Sequence, residues 1–178
     1  MTENKTIVLS APCMPVDIGY YSQHLGVDES GEVFFHIPDK TPSAINKQID
    51  DLTDLIFLLP DDKKQIDFTD DTEHTIINGV YTRKLFIRKG TILIGKYHLK
   101  ECVNIVAMGD VTVLTETGCN RLGAGFIGVS QPGSRKVGLA HEDTIFFNIF
   151  RTDKTNIDEI EDEIYLDHKQ KEGVCLEL

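Results

Sequence analysis

The side chains best suited to chemistry lie far apart along this chain of 178 residues. The four cysteines, Cys13, Cys102, Cys119 and Cys175, form no C-x-x-C pair. Zinc-ribbon and thioredoxin-like patterns are thereby excluded, and all four read as free thiols, with Cys102 and Cys119 inside strands. His24, His36, His74 and His168 each stand alone in unrelated segments and read as surface or packing residues. Ser134 has no nucleophile-elbow context, and no glycine-rich loop precedes a helix as phosphate-cradling motifs require. Tyr20-Tyr21 would suit an interface anchor. Spacing alone yields no catalytic residue.

Charge is more informative when divided along the chain. The formal net charge is −11. Residues 1–82 carry 5 basic and 15 acidic side chains, residues 83–152 carry 10 and 5, and residues 153–178 carry 3 and 9. A basic middle between acidic flanks has two readings. The flanks neutralise the middle, within the chain or across a subunit interface, or the middle binds an anion. A protein that coats nucleic acid would need clustered Lys and Arg in excess, so that role is not expected. No apolar run approaches the roughly 18–20 residues that span a bilayer, so no membrane partner is expected. Met1-Thr2-Glu3-Asn4-Lys5 is not a basic n-region leading into an apolar stretch, and the expectation is a protein that is not secreted.

The elements that must position any site fall into three parts. Residues 83–152 read as closely spaced strands, Lys84–Arg88, Thr91–Gly95, Cys102–Ala107, Asp110–Thr115, Gly125–Ser130, Lys136–Ala140 and Asp143–Phe150. Turn signals such as Lys89-Gly90, Met108-Gly109-Asp110 and Gln131-Pro132-Gly133 separate them. Nine of the 14 glycines lie here, as a tightly folded antiparallel barrel or sandwich requires. Residues 1–82 form an N-terminal extension. In it Glu32–Ile37 reads as a short strand, Ser43–Leu59 as an amphipathic helix capped by Ser43 and stopped by Pro60-Asp61-Asp62, and Thr69–Glu73 as an exposed acidic loop. Residues 153–178 form an acidic tail, where Thr155-Asn156-Ile157-Asp158 opens a helix with Ile157, Ile160 and Ile164 on one face. Both helices are expected to dock on the barrel or on a partner subunit. The fold class is an all-β core with a helix-containing N-terminal extension and a C-terminal helix.

Two stretches carry a resemblance. Gly90-Thr-Ile-Leu-Ile-Gly-Lys-Tyr-His98, followed by Cys102-Val-Asn-Ile-Val-Ala-Met-Gly109, resembles the first motif of the cupin superfamily. Ser130-Gln-Pro132-Gly133-Ser-Arg-Lys136-Val-Gly138-Leu-Ala-His141-Glu142-Asp143-Thr144 resembles the second. Together they are most similar to small cupin-like proteins of tailed bacteriophages. The resemblance covers Arg83 to Thr152. It implies a jelly-roll barrel, often oligomeric, with a pocket at its mouth that in many members holds a divalent metal on three histidines and a glutamate. Matched to this chain, those positions are Lys96, His98, Cys102 and Lys136.

Two of the four matched positions bear ammonium groups, which cannot ligate a metal while protonated and repel a divalent ion. No metal and no cofactor is therefore expected. His98, Glu101 or Cys102, and His141 remain as an alternative metal set for a cupin enzyme of isomerase or dioxygenase type, with Glu101 and Cys102 on opposite strand faces. The leading expectation has Lys96, His98 and Lys136 as a cationic cup for a phosphate, nucleotide or carboxylate. In the competing reading both lysines extend to solvent and the barrel is only a scaffold. Metal-free isomerisation by Tyr97 with His98 is disfavoured, because strand neighbours face opposite ways. The function that follows is a non-enzymatic phage accessory protein, binding a phage or host protein partner or a small anionic ligand. It would be homo-oligomeric and located in the host cytoplasm or the virion.

Overall fold

The computed structural model describes residues 7–9, 23–58 and 69–166. Cys13, Tyr20-Tyr21, Pro60-Asp61-Asp62, His168 and Cys175 lie outside the described residues. In chain order the elements are β1 (Ile7–Leu9), β2 (Leu25–Val27), β3 (Val33–Phe35), α1 (Pro42–Phe57), β4 (Thr72–Ile77), β5 (Val80–Ile87), β6 (Ile92–Ile94) and β7 (Tyr97–His98). They continue with β8 (Cys102–Met108), β9 (Asp110–Thr115), β10 (Gly118–Gly123), β11 (Ile127–Ser130), β12 (Val137–Ala140), β13 (Thr144–Arg151), α2 (Ile157–Ile164) and β14 (Tyr165–Leu166).

Two five-stranded antiparallel sheets face one another, ordered β1-β6-β12-β9-β10 and β11-β8-β13-β5-β4. Without the edge strands β1 and β4, the eight strands follow jelly-roll order, crossing between the sheets at every connection except the β9–β10 hairpin, the double Greek key of a closed sandwich. The side-chain period of two assigns each strand an inner and an outer face. Leu85, Ile87, Val106 and Phe146 of one sheet meet Val111, Val113 and Ala140 of the other, and together they fill one end of the interior. β8 and β9 do not pair as a hairpin but lie in opposite sheets, and the corner between them turns on Gly109 at φ +89°. A Cβ there would strike the Asp143 carbonyl and Thr144, so only glycine suits both the backbone conformation and the space.

The outer face of the first sheet is also apolar. Ile92, Ile94, Leu114, Val137 and Leu139 point outward there and are covered by Ile45, Ile49, Leu52 and Ile56 of α1, with Leu25 and Phe35 of the β2–β3 hairpin. Leu114, opposite in phase to Val111 and Val113, belongs to this outer layer. Arg135 locks the helix in place. Its guanidinium donates to Asp50 Oδ1 at 2.9 Å, Thr53 Oγ1 at 2.8 Å and the Gly95 carbonyl at 3.1 Å, and it lies over the Tyr97 ring. At the other end of the barrel α2 brings Ile160 and Ile164 against Tyr81, Cys102 and Phe150, and β14 pairs with β7. The described part of the acidic tail, residues 153–166, therefore docks on its own barrel.

Several local expectations change. The barrel sheet begins before residue 83: β5 starts at Val80, and Thr72–Ile77, part of it expected as an exposed loop, is strand β4 paired along β5. Its alternation of half-buried and exposed residues is the mark of an edge strand. Gly118–Gly123, unforeseen as a strand, pairs with β9. The first helix is entered through Thr41 with Pro42 in its first turn, and Ser43 is already helical, since proline fixes the φ that a first helical residue needs. In α2 the cap is Asn156. Its side chain accepts from the backbone N–H groups of Asp158 and Glu159.

Candidate ligand-binding site

Between the two apolar ends of the interior lies a polar layer. It arises where inward-facing positions of otherwise apolar strands carry polar residues: Arg83 in β5 between Tyr81 and Leu85, Asn104 in β8 between Cys102 and Val106, and Asn148 in β13 between Phe146 and Phe150. Asn104 and Asn148 sit directly opposite in register. The first sheet contributes Lys96, just after β6, and Lys136, just before β12. Their segments are held together by the Gly95 N–H donating to the Lys136 carbonyl at 2.9 Å.

Asn104 is the hub of this layer. Its Oδ1 accepts from Lys136 Nζ at 2.8 Å and Asn148 Nδ2 at 2.9 Å, while its Nδ2 donates to Ser130 Oγ at 2.8 Å. Cys102 Sγ lies 3.3 Å from His98 Nδ1. His98 is stacked on Phe150 and edge-on to Tyr165. Tyr165 closes the layer from above, hydrogen-bonded to Arg83 and lying under Lys96.

Two cavities meet here. One of about 70 Å³ is enclosed by Arg83, Lys96, His98, Lys136, Asn148 and Tyr165 together with apolar residues of both sheets. The other, about 510 Å³, lies between the free edges of β10 and β11. Its polar residues include Asn104, Ser130, Gln131 and Lys136, its apolar ones Val113, Leu122, Phe126 and Phe146. Lys136, Val113 and Phe146 line both. The larger volume is in the usual range for a small-molecule site.

The structure thus brings Lys96, His98 and Lys136 to one cavity, in three different electrostatic states. Lys96 is buried against Glu161 of α2 at 3.4 Å. His98 is pushed down to about 3 by burial, then by the cations Lys136 and Arg83, so it is a neutral imidazole at physiological pH. Lys136 is pushed down to about 8 by burial, opposed by Cys102 and Glu116. Neither lysine extends freely to solvent, contrary to the scaffold reading.

Much of the basic middle is neutralised by its flanks. Glu32, Asp50, Asp71 and Glu73 pair with Arg121, Arg135, Arg88 and Lys84, and Glu161 and Glu163 pair with Lys96 and Lys100. Lys136 differs. Its hydrogen bond goes to a neutral amide, and no carboxylate among the described residues lies within ion-pair distance.

All four positions picked out by the motifs, Lys96, His98, Cys102 and Lys136, converge on this layer. The barrel is a jelly roll. The divalent metal that the motif resemblance implies does not fit the residues present, because it would sit among Lys96, Lys136 and Arg83. The alternative ligand set is not assembled either. His141 lies beyond the far end of β12, bonded to Glu32 at 2.6 Å and Thr112 at 2.6 Å, whereas Glu101 is exposed beside Cys102. Among the described residues no three His, Cys, Asp or Glu side chains are grouped to hold a metal ion. Tyr97 and His98 face opposite ways, Tyr97 toward Asp50.

No family model matches the chain, and no curated protein matches it. Solved structures do show a likeness. An RmlC-like cupin family protein from Methanocaldococcus jannaschii is 14% identical, over 46% of this chain and 78% of that one, with a TM-score of 0.41. KdgF from Halomonas sp. is 18% identical over 52% and 87%, with a TM-score of 0.41. A cupin from Shewanella frigidimarina is 19% identical over 52% and 93%, with a TM-score of 0.39. Among the described residues no helix is long and apolar enough to cross a membrane.

Sequence reading missed Arg83, Asn104, Asn148 and Tyr165. The signal for the first three was present: each breaks the apolar phase of its strand while sharing the inward parity of its neighbours. Tyr165 carried no such signal, since only the docking of α2 brings it over the layer.

Proposed function

We propose that this chain is a non-enzymatic binding protein whose barrel holds a small organic anion against Lys136. The observation that supports this reading is the retention of an ammonium group, without a carboxylate at ion-pair distance, where two interior cavities meet. Burying such a group is unfavourable, and a barrel serving only as a scaffold would gain stability from an apolar residue there. A carboxylate or phosphate head would complete the charge of the layer, and an apolar body would lie along Val113, Leu122, Phe126 and Phe146. Benzoate and phenyl phosphate are suitable probes. Titrated into isotopically labelled protein, at least one should shift the amides of Asn104, Ser130 and Lys136 saturably, and Lys136→Met should abolish the response. Equal binding by that variant, or no response to either probe, would overturn the reading. The resemblance to small cupin-like proteins of tailed bacteriophages supports an accessory role in the infected host cell or the virion.

A second observation favours self-association as the oligomer expected from the sequence. The outer face of the second sheet presents Val103, Ile105, Phe147 and Ile149, with Ile127 and Val129 at 67% and 61% exposure. None of these side chains joins a core cluster. A second copy packing on this face would remove this apolar strip from water. Sedimentation should show a dimer that Ile127→Glu with Val129→Glu converts to monomer; a wild-type monomer at high concentration would rule it out.

A further inference from the structure

The position of Lys136 suits covalent as well as ionic capture. The smaller cavity, with about 70 Å³, suits the head of a ligand, and the larger one, about 510 Å³, its body. The cations of the smaller cavity are Arg83, Lys96 and Lys136, and the carboxylate against them is Glu161, held on Lys96. Glu116 faces Lys136 from the wall of the larger cavity. A ligand carboxylate drawn into the small chamber would place the adjoining carbon at the boundary between the cavities. That boundary is formed by Lys136, Val113 and Phe146. The atom waiting there is Lys136 Nζ, fixed by one hydrogen bond to Asn104.

A lysine becomes a nucleophile when desolvation and neighbouring cations favour its neutral form. Here burial supplies the first condition, against the opposing pull of Cys102 and Glu116, and the Arg83 guanidinium and Lys96 ammonium line the same cavity. With the amine titrating near 8, roughly one chain in ten carries it neutral at pH 7.

We propose that Lys136 forms a reversible imine with small oxo acids, molecules bearing a carbonyl next to a carboxylate. The neutral amine nitrogen adds to the carbonyl carbon, and the carbonyl oxygen leaves as water with the two amine protons. No oxidant, reductant or second substrate takes part. The inference rests on the anion-binding reading and narrows its ligand to a carbonyl compound.

The test uses the full-length protein with pyruvate and sodium cyanoborohydride, which reduces imines faster than ketones, read by intact mass and peptide mapping. The expected result is one reduced adduct per chain, on Lys136, formed faster as pH rises through about 8. Lactate, with the same carboxylate and no carbonyl, is titrated in parallel. Lys136→Arg keeps a cation that cannot form the imine, so it should bind lactate and lose the adduct. Lactate binding without an adduct on Lys136, or adducts spread evenly over exposed lysines, would overturn the imine and leave anion binding intact. Failure of wild type to bind either acid would overturn both.

Discussion

Replacing Lys136 with methionine should make the protein more stable near neutral pH. In the folded chain the ammonium titrates near 8 against an ordinary 10.5, which corresponds to about 3 kcal/mol of stability withheld below pH 8. The sign follows from linkage. Between pH 8 and 10.5 the unfolded chain binds more protons at this group than the folded chain, so stability rises with pH across that window and the whole penalty is present below it. Methionine has similar length and no charge. It forfeits the hydrogen bond to Asn104 Oδ1, at a cost of roughly 1 kcal/mol, but that oxygen keeps Asn148 as a donor at 2.9 Å. The expected net gain is about 2 kcal/mol at pH 7, falling to nearly nothing by pH 9.5. Urea unfolding of both proteins at the two pH values measures it. Equal or lower stability of Lys136→Met at pH 7, or a difference independent of pH, would refute the claim that this ammonium is buried at the expense of the fold. A stabilised variant that no longer binds would show the trade between stability and function expected at a binding site.

Two further outcomes probe how the barrel is held. Arg135→Ala removes a guanidinium that is 3% exposed and takes its donor from the Gly95 carbonyl, while Thr53 still donates to Ile49, so it should cost about 3 kcal/mol in urea unfolding; the exposed side of Asp50 moderates the loss, and a change below about 1 kcal/mol would mean that apolar contacts alone hold α1. Gly109→Ala forces a Cβ onto the Asp143 carbonyl and Thr144 in a left-handed backbone, and a loss of at least about 2 kcal/mol is expected from the thermal midpoint.

Seven of the barrel strands were legible in the sequence, but β4, β10 and the order of the strands within the sheets were not. Alternating apolar residues and glycine-bearing turns specify local conformation, and those signals are contained in a few adjacent residues. Val111 and Val113 against Leu114 already marked two faces, although the reason for an apolar outer face became visible only with α1 packed on it. The motif positions Lys96, His98, Cys102 and Lys136 were also legible as a set, because the spacing from turn to strand end carries their geometry.

The tertiary structure decided what those residues are. Three side chains that read as one cationic cup became an ion pair, a neutral imidazole and one ammonium without a carboxylate partner. Burial and the neighbours supplied by distant strands set those states. Edge strands such as β4 escaped notice because a half-buried strand and an acidic loop share the same polar composition, and only pairing with β5 distinguishes them. The polar layer of Arg83, Asn104 and Asn148 joins three strands far apart in the chain. Its chemistry exists only when the register aligns them, and register is a property of the folded sheets and not of any local segment.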